Sequence, residues 1–180
     1  MKTMLSSMKK RKFDIPEETV LIFEHIVQAY EGGECEAEFL KAMETHLTRE
    51  QRFRLCEENG ACNGAGHDKE RKAFALEHAE KPLAERLALF AKAFGRNAVL
   101  NGDGTITVTF AYTHGYYKHA PKGTFAFPGS VEAYFERCAG GRLYELQKAL
   151  GVKLKIKSVD LSPLGESVTN PVVFTFEPAE

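Results

Sequence analysis

The sequence predicts an α+β domain, with a helical N-terminal half packed against a C-terminal antiparallel sheet and one long helix. Three observations carry this. Up to Phe94, apolar residues recur at helical spacing between capping and stop signals. From Asn97 the pattern changes to alternation, most regularly over Thr105 to Tyr112, where Ile106, Val108, Phe110 and Tyr112 share one face. Between the alternating segments lies one further helical stripe, from Val131 through Tyr134 and Phe135 to Leu143, Leu146 and Leu150.

A chain of 180 residues suits one domain and is long enough to bury a core without staples. The expected organisation is a disordered basic tail at 1–12 and a single domain at 13–180, helical over 13–95 and sheet-plus-helix over 96–180. The tail is read as frayed because Lys9-Lys10-Arg11-Lys12 is a run of cations with no apolar signal core behind it. A net charge of -1 gives no global argument for nucleic acid or an acidic surface. No apolar run reaches the length of a membrane span. Four cysteines in a chain of this length do not form a disulfide framework, so the thiols are expected reduced, in the cytoplasm.

The elements follow in order. Asp14-Ile15-Pro16-Glu17 reads as a helix start with Asp14 as cap, and Val20, Leu21, Phe23, Ile26, Val27 and Tyr30 form the stripe behind it. Gly32-Gly33 ends that helix, and a short one follows over Cys35 to His46. Thr48-Arg49-Glu50-Gln51 is a capping box opening the helix with Phe53 and Cys56. Gly60 is placed to end that helix in a left-handed conformation, and His67 or Asp68 opens the next. Pro82 starts a helix with Leu83, Leu87, Phe90 and Phe94 on one face, stopped by Gly95. Asn101-Gly102-Asp103-Gly104 is a hairpin turn. The stretch from Gly115 to Gly129, rich in aromatics and glycine, reads as a mobile lid over a pocket. Ser130 caps the long helix, which Gly140-Gly141 interrupts. Two glycines there cost about 1–2 kcal/mol against alanines, so close approach of another element or of a ligand should justify them. Val152, Leu154 and Ile156 alternate with Lys153, Lys155 and Lys157, a strand with one wet, edge-protecting face. Val172, Phe174 and Phe176 mark the last strand.

No phosphate-binding loop, dinucleotide fingerprint, nucleophile elbow or helix-borne pair of metal histidines occurs. The candidate chemistry is a set of soft ligands: Cys56, Cys62, His67, His114, His119 and Cys138. Cys62 lies in the glycine-rich stretch 54–68, His114 continues the apolar parity of its strand, and Cys138 lies on the long-helix stripe. Two thiolates and an imidazole are ligands zinc prefers, with an open fourth position, so Cys62, His114 and Cys138 form a candidate metal set. The spacing of Cys56, Cys62 and His67 is wider than structural zinc motifs use, and Cys56 reads equally as a small buried apolar residue.

The order of these motifs carries a resemblance. A thiol-bearing helix and glycine loop precede a strand, then Tyr134-Phe135-Glu136-Arg137-Cys138-Ala139-Gly140-Gly141, the Leu150-Gly151 stop, Val152-Lys153-Leu154-Lys155-Ile156 and a closing Val173-Phe174-Thr175-Phe176. This resembles bacterial proteins grouped near the aminothiazoline-carboxylate hydrolase-like family and the 4-vinyl-reductase-type small-molecule-binding domain. It covers Ala98 to Glu177, and the helical half joins it through Cys56, Gly60 and Cys62. The resemblance implies cysteines at the strand end and at the start of the late helix. Cys138 fits the second place, Ala111 or His114 stands at the first, and Val172-Val173 stands where the closing strand would carry another.

Three function classes follow. The first is a small-molecule- or metal-binding domain with a Cys/His-lined pocket between sheet and helices, zinc being the candidate metal and Cys138, Tyr116, Tyr117 and His67 the ligand contacts. The second is a cysteine-dependent hydrolase of a thiazoline- or amide-type C–N bond, with Cys62 as nucleophile and His114 as base. The third is an interaction module with structural cysteines.

Overall fold

The computed structural model describes residues 1–60, 65–111, 129–165 and 170–179. Seven helices are described: α1 (Lys2–Met8), α2 (Glu17–Ala29), α3 (Gly32–His46), α4 (Arg49–Glu58), α5 (Asp68–Glu77), α6 (Leu83–Phe94) and α7 (Val131–Leu150). Four described strands, β1 (Asn97–Leu100), β2 (Ile106–Phe110), β3 (Leu154–Asp160) and β4 (Val172–Pro178), form one antiparallel sheet in the order β1-β2-β4-β3. The architecture is α+β, and α7 is its axis: it touches β3 and also α3, α4, α5 and α6.

Local signals account for most element ends. Thr48 Oγ1 accepts from Gln51 N at 3.2 Å while Gln51 Oε1 accepts from Thr48 N at 2.9 Å, the reciprocal cap that opens α4. Ser130 Oγ accepts from Ala133 N at 3.0 Å and opens α7. Gly95 and Gly151 end α6 and α7 at φ 60° and 66°, left-handed values that glycine adopts without a Cβ clash. The Asn101–Gly104 turn joins β1 to β2, with Leu100 opposite Ile106. Asn101 Nδ2 donates to Thr105 and Thr107 Oγ1, each at 2.8 Å, and Asp103 Oδ1 accepts from Thr105 N at 3.0 Å.

Strand alternation places Ile106, Val108, Val172, Phe174, Phe176, Leu154 and Ile156 in the core, and the register shift in β3 turns Val159 there as well. Phe110 stacks on Phe174 at 5.3 Å and meets Phe135 of α7 edge-on at 6.3 Å. The edge strand β3 carries a register shift between Ile156 and Ser158. Side chains cover its outer backbone groups: Ile156 N donates to Glu57 Oε1 at 2.6 Å, Leu154 N to Gln147 Oε1 at 3.0 Å, and Arg49 Nη2 to Val159 O at 3.3 Å.

Several expectations are corrected; Gly32-Gly33, for one, does not end α2, which stops at Ala29, but opens α3. The N-terminal residues are not a disordered tail: Lys2–Met8 is helical, with Met4 and Met8 buried one turn apart. Its cations find acids on other helices, Lys9 on Glu24 at 2.5 Å and both Lys10 and Lys12 on Glu58. Asp14 does not cap α2; it sits in the left-handed region at φ 50°, and α2 starts after Pro16 without a side-chain cap. Leu21 lies off the buried stripe, 56% exposed. Gly140 does not interrupt α7, which is continuous across it.

The glycines at 60 and 140 serve one purpose, the crossing of α4 on α7. A Cβ on Gly60 would lie less than 3.0 Å from the Gly140 carbonyl, and one on Gly140 would lie as close to the Cys56 carbonyl. Gly60 does not take a positive φ, so it is needed for this approach and not as a left-handed stop. Close approach of another element, rather than of a ligand, is thus what justifies Gly140.

Candidate functional site

Of the sequence-predicted site residues, Cys62, His114, Tyr116 and Tyr117 lie outside the described residues, as do His119 and all of the expected lid except Gly129. Cys138 is half-buried on α7 and packs against the core edge. His67 is exposed at the N-terminus of α5, its Nδ1 2.9 Å from Glu70 Oε2, so its ring is engaged with its own helix. Among the described residues no group of three His, Cys, Asp or Glu side chains is placed to hold a metal ion. Cys56 is buried against the α4–α7 crossing. Burial first, and then the Glu136 carboxylate, push its thiol far above the ordinary cysteine range, so it is a packed thiol and not a nucleophile.

The groups that do converge are guanidiniums and carboxylates on α7, at two stations. At the first, Arg52 of α4 donates from Nε to Glu136 Oε2 at 2.7 Å and from Nη2 to Glu136 Oε1 at 3.0 Å. Its Nη2 also reaches Glu132 Oε1 at 2.9 Å, and Nη1 reaches the Leu47 carbonyl at 3.1 Å. Arg52 and Glu136 are both buried, and every nitrogen of this guanidinium is used. Burial pushes the Glu136 carboxyl above its ordinary range, and the Arg52 hydrogen bonds only partly offset it.

At the second station, Glu145 receives three arginines. Oε1 accepts from Arg71 Nη2 of α5 at 3.0 Å and from Arg96 Nη2 at 3.2 Å. Oε2 accepts from Arg96 Nε at 2.9 Å and from Arg142 Nη1 of α7 at 2.5 Å. Asp68 stands beside it, 3.6 Å from Arg71 and accepting from Tyr144 Oη at 2.5 Å. Burial again pushes Glu145 up, but here Arg96 and Arg142 win and hold it below the ordinary carboxylate range.

The place of this station follows from the strands. Arg96 precedes Asn97, which pairs with Thr109 at the end of β2, and the Arg142 guanidinium lies 5.0 Å from the Phe110 ring centroid. The cluster therefore sits at the end of the sheet, where β2 finishes. Arg142 and Arg96 keep 22% and 31% of their side-chain surface exposed, against 7% for Arg52. Chemically, fixed guanidinium forks beside an aromatic face suit carboxylate or phosphate recognition.

Sequence reasoning missed all of these charges, because a charged residue on a helix ordinarily marks its wet side. One signal was present: Glu145 is flanked by Leu143 and Leu146, and Glu136 by Phe135 and Ala139, so both carboxylates border the apolar stripe. Comparison of the chain with family models, with curated proteins and with solved structures finds no match.

Proposed function

We propose that the protein is a small-molecule-binding domain whose ligand seats at the end of the sheet, beside Phe110, between β2 and α7. The observation that supports this is the Glu145 station. It brings two partly exposed guanidiniums, Arg96 and Arg142, to the rim of a core otherwise built from phenylalanine and aliphatic side chains. A few convergent polar groups against an apolar wall are what fix a small ligand's orientation. The test is a Phe110→Trp reporter in a protein that has no tryptophan of its own. Its emission is followed against a mixed set of organic acids, amines, neutral amides and thiazolines. The reading expects at least one class to shift the emission saturably, and a flat response to every class rejects it.

A second reading gives Cys138 a part. It precedes Arg142 by one helical turn, so the two share a row of α7 facing the same rim. With Cys62 and His114 it would supply two thiolates and an imidazole to a zinc ion, or Cys62 and His114 would serve a thiazoline- or amide-cleaving hydrolase. Metal content of the purified protein tests the first of these, and thiol release from a thiazoline tests the second.

A further inference from the structure

Building on that small-molecule reading, we infer that the group recognised at the end of the sheet is an anion, a carboxylate or phosphate held by Arg142, beside Arg96, with its organic part against Phe110. A carboxylate has about four acceptor positions. Glu145 fills four with bonds from Arg71, Arg96 and Arg142. Its capacity is therefore spent, while Arg142 gives it one bond and has further N–H groups to offer. Arg96 gives two bonds to Glu145 and one to the Phe94 carbonyl.

Charge points the same way. Three guanidiniums face Glu145 and Asp68, so among the described residues the station carries more positive than negative charge, in a chain whose net charge is -1. The Arg52 station supplies the contrast. There one guanidinium meets two carboxylates and a carbonyl, all its nitrogens are engaged, and it is closed to solvent. A guanidinium already fixed by Glu145 and by the Phe110 face also loses little freedom when it takes a second anion.

The test uses the full chain and four sodium salts, inorganic phosphate, succinate, benzoate and chloride, at matched ionic strength. The melting temperature and the Phe110→Trp emission are both read. The inference expects saturable stabilisation by phosphate or by a carboxylate over chloride, and at least tenfold weaker binding in Arg142→Gln. A Lys41→Gln control, at an exposed surface pair, should leave the response unchanged. Benzoate above succinate assigns a carboxylate with its ring on Phe110, and phosphate above both assigns a phosphoryl group. If no anion exceeds chloride, the inference is overturned. It is overturned too if Arg142→Gln responds as the parent does. The wild-type comparison needs no variant, so a misfolded mutant does not rescue the idea. If the reporter answers an amine or a neutral amide but no anion, the anion inference falls while the small-molecule reading stands.

Discussion

Two glutamates on α7 meet arginine in opposite ways. Glu136 is fully buried against the single guanidinium of Arg52, and burial wins: its carboxyl is pushed up. Glu145 is nearly as buried but meets three guanidiniums, and the cations win: its carboxyl is held down. Bidentate geometry alone does not settle the sign, since Arg52 makes two short bonds to Glu136. The balance of neighbouring charge decides it: Glu136 has Arg52 but also the repelling Glu132 carboxylate, whereas Glu145 has Arg96 and Arg142, and taking a charge out of water costs several kcal/mol that one partner need not offset. The first station is a closed internal tie between α4 and α7. The second is a tie among α5, the Arg96 turn and α7 with cationic capacity left over.

Breaking the closed tie should have the largest effect. Arg52→Met strands Glu136 in the core, and urea unfolding should show a loss of about 3–5 kcal/mol. Adding Glu136→Leu should recover most of that loss, because the stranded charge is removed with its partner. A single-mutant cost below about 1 kcal/mol would mean that Arg52 does not hold the pair.

The crossing between the two stations comes next. Gly140→Ala drives a methyl group into the Cys56 carbonyl, and backbone cannot swing aside. A loss near the upper end of the usual 1–3 kcal/mol for overpacking, about 3 kcal/mol, is expected in the same unfolding assay. An unchanged midpoint would show that α4 and α7 are not so closely apposed.

Neutralising the cation-rich station sharpens the contrast. Glu145→Gln should cost about 2 kcal/mol near neutral pH, the range for a hydrogen bond to a charged group. Its pH dependence has a definite sign. Because the folded pKa of Glu145 is depressed, the wild-type advantage is full above the unfolded value of about 4.3. It is lost as pH falls through the folded value. Glu136, with a raised folded pKa, works the other way: its contribution declines as pH rises from about 4.3 through the folded value. Unfolding free energies of wild type and Glu145→Gln across pH 3 to 7 check this, and a gap that widens toward acid contradicts it. The smallest effect belongs to Glu132, the half-exposed partner of Arg52. Glu132→Gln should cost no more than about 0.5 kcal/mol, as a solvent-screened pair does.

The frame of this molecule was legible in its residues because local physics sets it. Thr48, Ser130 and Gly95 act within one helical turn, the Asn101–Gly104 turn acts within four residues, and period-two alternation alone assigns the core face of β2 and β4. The need for close packing at Gly140 was legible too. Long-range pairing escaped. Nothing near Arg52 in the chain announces Glu136, and nothing near Arg71 announces Glu145. Lys9 to Lys12 read as a frayed tail because their acids stand on α2 and α4. The expected soft-ligand site was built on residue type, strand parity and the helix stripe, and of its central three only Cys138 falls among the described residues.

The most direct test of the contrast is a carboxyl titration. With glutamate labelled at Cδ, the Glu136 and Glu145 resonances are assigned from Glu136→Gln and Glu145→Gln and followed by NMR as pH is lowered from neutrality. Glu136 is expected to protonate above the ordinary glutamate value of about 4.3 and Glu145 below it. Both titrating on the same side of that value, or in the reverse order, would contradict the claim that one arginine closes a station and three leave it cationic.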